Sequence, residues 1–588
     1  MNKFLVALVV PAMAVSLLTS CGGGDEKNHG TSGEAKGGIY LGGIARLNEV
    51  ENLKSLYPIA INDQVSYHIA AQVYEGLVKY NQNDMTLMPG IAQRWEISED
   101  QSEYTFHLRN GVKFHDDPCF PEGKGKTLTA NDFKFCFDKL CSTDPANSQY
   151  DVTFKDKVQG ANESFEGSKA GKKTGVSGVK VINDSTLSIK LNHPYPGFLN
   201  ILAMPGCYVY APEAHAKYGA EMRIKTVGTG PFAVENVKEG EAIIMKKNPN
   251  YWAIDEHGNK LPYLDGIKWS FIREKKAEIL EFKRGNLEMV YRIPVEMFHE
   301  LMGDLANAKE HKTEFNILNS PALNTNYYGF NTQSTVFSKK EVRLAFNHAI
   351  DRQKIADFTI QGEGEAAIYG MVPYTETFEK EGYNYKEVKG YEYDPEKAKE
   401  LMKKAGYADG KGFPKVTLEI NSGGGDRNIL VAEVVQKMLK ENLNVDIEIN
   451  TIPFAEHIDN IQSAKADFFR FGWTADYPDP ETFLTLFYGK HVPATMGEKS
   501  YINTTRYINP RFDSLFSAAG KISDKAQRFA MLAKAEQIML DDAPFMPIFY
   551  DENFRLEQLY VRNMPENIMN YMDLTTTYLI PADKMKKK

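Results

Sequence analysis

The sequence predicts a mixed α/β fold. Three observations carry that prediction: strand patterns of period two, capped helices with one apolar face, and one strand–helix–strand unit. In chain order, Tyr104, Phe106 and Leu108 alternate with polar neighbours, as a half-buried strand requires. Thr129-Ala130-Asn131-Asp132 reads as a capping box, and Phe133, Cys136, Phe137 and Leu140 follow it at helical spacing. Leu187, Ile189 and Leu191 repeat the strand pattern. Val342, Ala345, Phe346, Ala349 and Ile350 share one face of a second helix. A third helix opens at Asp394 with Pro395 in its first turn, buries Ala398, Leu401, Met402 and Ala405, and stops at Gly406. Val416, Leu418 and Ile420 then form a strand, Val431, Val434, Val435 and Met438 a helix stripe, and Val445, Ile447 and Ile449 another strand. So short a unit predicts two parallel strands joined by a right-handed crossover.

Composition bounds the rest. The chain has 588 residues, 42% hydrophobic and 25% charged, which excludes disorder, collagen and coiled coil as its main state. Its length corresponds to roughly three to five folding units. The net charge is −9 and no basic block occurs, so nucleic acid is excluded as a partner. With 33 Phe, 31 Tyr and 4 Trp the chain is rich in aromatics, a property open to a hydrolase, a receptor or a scaffold.

The N-terminus places the chain outside the cytoplasm. One Lys precedes an uncharged run from Phe4 to Leu18, shorter than the roughly 20 residues of a membrane span and suited to an export signal. The run ends in Leu18-Thr19-Ser20-Cys21, which resembles the bacterial lipobox and implies acylation of Cys21. A plain signal peptide is the alternative. From Gly22 to Gly38 the chain is glycine-rich with no large apolar side chain, as a flexible tether would be. Cys119, Cys136, Cys141 and Cys207 remain. Cys136 and Cys141, at i and i+5 of one helix, point apart, so a bridge from Cys119 to one of them is preferred over free buried thiols. No CxxC pair supports a zinc or redox site.

Catalytic signals are thin. Gly423-Gly424-Gly425 lies between a strand and a helix but lacks the Lys-Ser/Thr of a phosphate loop, and reads as a surface turn. Gly171-Lys172-Lys173-Thr174 reads as a solvated loop. Neither GxSxG nor HExxH occurs. Asp116-Asp117 and Asp541-Asp542 are sequence neighbours whose side chains are expected to diverge, and His107 is expected to be a surface residue of its strand.

One series of motifs stands out. Pro89-Gly90-Ile91-Ala92 and Trp95 precede Tyr104 to Asp116, followed by Thr129 to Phe133. Val227-Gly228-Thr229-Gly230-Pro231-Phe232, Asn248-Pro249-Asn250-Tyr251-Trp252 and Tyr328-Gly329-Phe330-Asn331 come next. Glu341 to Ala345, Ala349-Ile350-Asp351-Arg352, Asp394 to Ala398, Gly472 to Pro480 and Asp542-Ala543-Pro544 complete it. In order and spacing they resemble the extracellular solute-binding proteins of the oligopeptide, dipeptide and nickel type, which feed ABC importers. The resemblance covers about Gly38 to Tyr560. Taken singly, Gly228 to Pro231 reads as a tight turn, and Asn248-Pro249-Asn250 as a turn before two core aromatics.

The resemblance implies a two-lobe, periplasmic-binding-protein-like fold of type II with an extra subdomain, mixed sheets flanked by helices, and a ligand cleft between the lobes. Its implied division is a signal at 1–20, a tether at 21–38, a first lobe at 39–80, 192–325 and 541–588, an inserted subdomain at 81–191 and a second lobe at 326–540. It implies a peptide ligand held largely through its backbone. Asp476 takes the place of the aspartate that pairs with the ligand's α-amino group, and Arg470 resembles a position that meets a peptide carboxylate. Trp473 and Tyr477 would wall the cleft, and Thr474 would also meet the ligand. Thr474 and Ala475 stand where some relatives carry a Cys. No catalytic residue, metal or cofactor is implied. The implied partners are an ABC permease and ATPase, with the protein a monomer in the cell envelope, anchored through Cys21. The alternatives are a receptor for a nickel chelate or an oligosaccharide on the same scaffold, or an exported hydrolase.

Overall fold

The computed structural model describes residues 31–172, 174–293, 315–422 and 426–585. The signal, Cys21, the first part of the tether, Lys173 and Gly423-Gly424-Gly425 lie outside the described residues. The tether expected through residue 38 gives way earlier: Thr31–Glu34 pairs antiparallel with Tyr40–Gly42. Gly37 and Gly38, both at positive φ, make the turn that folds this segment back.

The first lobe centres on a four-stranded sheet in the order Phe232–Lys238, Ala242–Lys247, Gly266–Ser270, Ile44–Asn48, its last pair parallel. The inserted subdomain carries an antiparallel sheet, Ala92–Ile97, Glu103–Leu108, Thr186–Lys190, Val179–Asn183. Tyr104, Phe106 and Leu108 are buried, as the alternation requires. The helix Ala130–Leu140 starts with the expected capping box, Asp132 accepting from the Thr129 amide at 2.8 Å.

A seven-stranded sheet builds the second lobe. Its strands are β1 (Met289–Tyr291), β2 (Phe315–Phe330), β3 (Gly364–Ala366), β4 (Val416–Asn421), β5 (Ile447–Ile452), β6 (Phe468–Thr474) and β7 (Phe545–Gln558), in the order β1-β7-β2-β6-β4-β5 with β3 on β7. The expected β–α–β unit is present: β4 and β5 are parallel neighbours, and helix α1 (Arg427–Leu443) between them buries Val431, Val435 and Met438. Residues 325 and 326 lie inside β2, and β1 and β7, assigned by sequence to the first lobe, hydrogen-bond into this sheet. The connection is a ribbon of two long strands, 16 and 14 residues, whose register breaks between Pro321 and Thr325. Such a break interrupts the ladder at mid-ribbon.

Several motifs are explained as scaffold. Arg343, buried, donates to the carbonyls of Phe337, Ser338, Asp542 and Ala543, and Arg352 to those of Pro547, Asn347 and Tyr391. Each guanidinium thus satisfies carbonyls that would otherwise be buried unpaired. Gly228 and Gly230 serve close approach more than turning: a Cβ on either would sit 2.1 and 2.6 Å from the Val73 backbone. Asn248 caps its turn by accepting from the Asn250 amide at 3.0 Å, and Tyr251 and Trp252 both reach the buried Glu75.

The preferred bridge from Cys119 is corrected, for all four described cysteines are free. Cys136 Sγ is turned to the Tyr210 carbonyl at 3.4 Å, and burial pushes its thiol upward, as it does those of Cys141 and Cys207. Among the described residues no helix is long and apolar enough to cross a membrane.

Candidate functional site

Strand β6 and the loop after it carry the predicted residues. Pairing with β2 sets Arg470 opposite Tyr328, Gly472 opposite Asn326, Trp473 opposite Thr325 and Thr474 opposite Asn324. The chain leaves the sheet at Ala475, whose amide donates to Leu323 O at 2.9 Å, and enters Asp476-Tyr477-Pro478-Asp479-Pro480.

The two aspartates of that run divide the work. Asp479 is buried, paired with Arg528 at 2.5 and 3.0 Å, and accepts from the Glu481 amide at 2.9 Å. It therefore holds the turn. Asp476 accepts only from the Thr482 hydroxyl, at 3.3 Å, while its own amide donates back to that oxygen at 3.1 Å. Its side chain is exposed, yet protein surrounds it, which is the situation of a residue facing a cleft between lobes. Burial lifts its carboxyl to about 6; Thr482 opposes the rise, Glu481 adds to it and Lys157 lowers it.

The first lobe and its insert supply the facing wall. Tyr195 OH donates to Glu481 Oε2 at 2.7 Å and meets Tyr477 OH at 3.0 Å, and Tyr477 donates to the same carboxylate. Lys157 stands over the Tyr195 ring at 5.5 Å. Tyr80 lies near enough to sense the charges of Asp479 and Asp476. Tyr477 is buried and held in this hydrogen-bonded cluster with Tyr195 and Glu481.

At the other end of β6, Arg470 is half-buried. Its guanidinium donates to Asn421 Oδ1 at 3.1 Å and to Asn326 Oδ1, and burial lowers it to about 10, with Arg427 acting in the same direction. Trp473, half-buried between these ends, packs on the main core, and Thr474 accepts from Asn324 Nδ2 at 2.7 Å.

Arg470, Trp473, Thr474 and Asp476 are therefore brought to one strand and its exit. Sequence reasoning missed Tyr80, Lys157, Tyr195 and Glu481, of which only Glu481 adjoins a motif. The sequence-adjacent carboxylates do diverge: Asp116 binds Lys124 while Asp117 binds Tyr218, and Asp541 binds Gln537 while Asp542 binds Asn509. His107 turns to the exposed Glu96. Among the described residues no three His, Cys, Asp or Glu side chains converge as a metal site would require.

Comparison with known proteins supplies the context. The family described as "Bacterial extracellular solute-binding proteins, family 5 Middle" matches residues 86–493. The chain is similar to the oligopeptide-binding protein OppA of Bacillus subtilis, 30% identical over 564 residues that cover 92% of this chain and 94% of that protein. It is 27% identical over 541 residues to the periplasmic oligopeptide-binding protein OppA of Salmonella typhimurium, covering 90% and 92% of the two chains. Among solved structures, that of the periplasmic binding protein DppA from Helicobacter pylori with the peptide STSA superposes with a TM-score of 0.75 at 26% identity, over 92% of this chain and 98% of that one.

Proposed function

Because the chain belongs to family 5 of the bacterial extracellular solute-binding proteins, we propose that it is the peptide-capturing subunit of an ABC importer. The observation that carries this reading is Asp476: a carboxylate enclosed between lobes with one hydroxyl for company, and no cation within ion-pairing distance among the described residues. A ligand α-ammonium is the partner such a group lacks. Arg470, at the opposite end of β6, then meets a ligand carboxylate, while Trp473 and Thr474 flank the peptide between them. Cys21 carries the lipid that keeps the protein at the membrane, where it delivers its ligand, as a monomer, to permease and ATPase subunits. The protein has no catalytic role. Native mass spectrometry of protein purified without denaturation checks this: an intact, stoichiometric peptide is expected. A nickel chelate, an oligosaccharide or cleaved products would contradict it.

Affinity should follow pH through Asp476. In the free protein this carboxyl keeps its proton up to about pH 6, and only the ionised form pairs with an ammonium. Binding is therefore full above that pH and weakens as pH falls through it, by up to about tenfold per unit. The groups facing the carboxyl are Thr482, Glu481, Lys157 and Tyr80. Calorimetric titrations at about pH 7.5 and about pH 5 check the slope, and an N-acetylated peptide should show none of it.

Tyr195→Phe removes the hydroxyl that joins the lobes through Tyr477 and Glu481. A loss of about 0.5–1.5 kcal/mol in ligand affinity is expected, the scale of one hydrogen bond. Small-angle scattering should show a more open free protein, and unchanged affinity and shape would contradict the latch.

A further inference from the structure

Strand β6 has neighbours along the whole of one edge and only part of the other. β2 follows the first edge from Phe330 opposite Phe468 to Asn324 opposite Thr474. β4 follows the second only at Leu418 opposite Phe468 and Glu419 opposite Phe469, and beyond Phe469 no described strand pairs with it. Successive residues of a strand turn their main-chain groups to opposite edges. Ala475 gives its amide to Leu323 O on the β2 side, at 2.9 Å, so Thr474 and Gly472 turn theirs to the open edge. Thr474 is exposed there and Gly472 half-buried.

Arg470 is the next residue in that series, and a side chain takes its carbonyl. His457, on helix α2 (Phe454–Gln462), places Nε2 2.7 Å from Arg470 O and Nδ1 2.9 Å from Glu419 Oε1. The ring is fully buried, and the buried Glu419 also accepts from Asn460 Nδ2 at 3.0 Å. A carbonyl only accepts, so Nε2 carries a hydrogen, while Glu419 and Asn460 brace the ring from its other side. The imidazole thus stands where the next rung of β4 would come. At the far end of the edge, Thr482 Oγ1 receives the Asp476 amide at 3.1 Å. Side chains therefore close both ends of the open edge and leave Gly472 and Thr474 between them.

We propose that His457 is a positioning residue: by capping Arg470 O it sets where an extended ligand stops adding to β6, and confines full main-chain exchange to Thr474 and Gly472. This rests on the peptide reading above and deepens it. With the ammonium held at Asp476, the ligand runs antiparallel to β6, and two of its amides, two residues apart, meet the carbonyls of Thr474 and Gly472. The amide two residues further on arrives at Arg470 O and finds the imidazole there.

The test titrates penta-, hexa- and heptapeptides of Ala and Ser, with free amines and one amide N-methylated at a time, into the full chain. In the parent, methylation of two amides two residues apart is expected to cost about two- to tenfold in affinity each, the scale of one hydrogen bond, and methylation of the next in the series nothing. His457→Leu uncovers the carbonyl, and that third amide should become sensitive by a similar factor. His457→Gln, which still carries a donor, should restore part of the parent pattern. The same pattern in the parent and in His457→Leu would overturn the cap while leaving the peptide reading standing. Failure of the parent to bind any unmethylated peptide would overturn the peptide reading and the cap's role in it. If His457→Leu does not fold, nitrogen NMR of the histidine-labelled parent decides: a hydrogen on Nε2 of His457 is expected, and a ring protonated on Nδ1 alone would overturn the cap.

Discussion

Asp476→Ala is expected to weaken binding of free-amine peptides by at least ~2 kcal/mol, about 30-fold, without unfolding the protein. The magnitude follows from where the carboxylate sits. A ligand ammonium leaves water when the lobes close, and one enclosed anion offsets that loss. Remove the anion, and the ammonium is left unpaired in a site that burial has made costly for charge. The fold should not suffer, because Asp476 does little for it. Its only side-chain partner is the Thr482 hydroxyl, and its raised pKa means that ionisation opposes folding. The sign is the reverse of a salt-bridged aspartate: stability linked to this group is greatest at low pH and declines as pH rises from about 4 through about 6. Asp476→Asn should therefore keep or raise Tm at neutral pH while losing affinity. A fall in Tm matching the fall in affinity would show a structural residue instead.

Arg528→Ala and Asp479→Ala are expected to do the opposite, each lowering unfolding free energy by about 3–5 kcal/mol. Both side chains are almost fully buried, 2% and 4% exposed, and they meet through two hydrogen bonds. Burial works against the Arg528 charge, but Asp479 outweighs it and holds the guanidinium well above its ordinary range. Deleting either partner strands the other charge in the core. Replacing both with apolar residues of similar size should recover much of the loss, because no charge then remains to be solvated. Urea denaturation of the single and double variants measures this. A single variant within about 1 kcal/mol of the parent would contradict the assignment of Asp479 as the structural member of the motif.

Much of the fold was legible because local rules and tertiary packing agree. The alternation at Tyr104, the capping box at Thr129 and the β4–α1–β5 unit each state their own geometry. The ribbon was not legible. β2 joins a half-exposed first half to a buried second half, β7 pairs with it, and β1 joins the sheet through β7, all by pairings more than 200 residues apart in sequence. The cysteines misled for a related reason. Spacing within one helix excludes a bridge between Cys136 and Cys141, but it says nothing of where Cys119 lies. At the site, the sequence placed Arg470 and Asp476 close together, on one strand and its exit. It did not separate the aspartate proposed to bind from the structural one three residues on, which Arg528, far along the chain, holds. Tyr195 and Lys157 are ordinary surface-type residues in sequence, and only tertiary contacts distant in the chain give them partners.

The most direct measurement is a double-mutant cycle by calorimetry, in which a free-amine peptide and its N-acetylated form are each titrated into the parent protein and into Asp476→Asn. If Asp476 receives the ligand ammonium, acetylation costs affinity in the parent but nearly none in the variant, with a coupling energy of about 2 kcal/mol. Equal losses in both proteins, or no binding of the free-amine peptide to the parent, would contradict it.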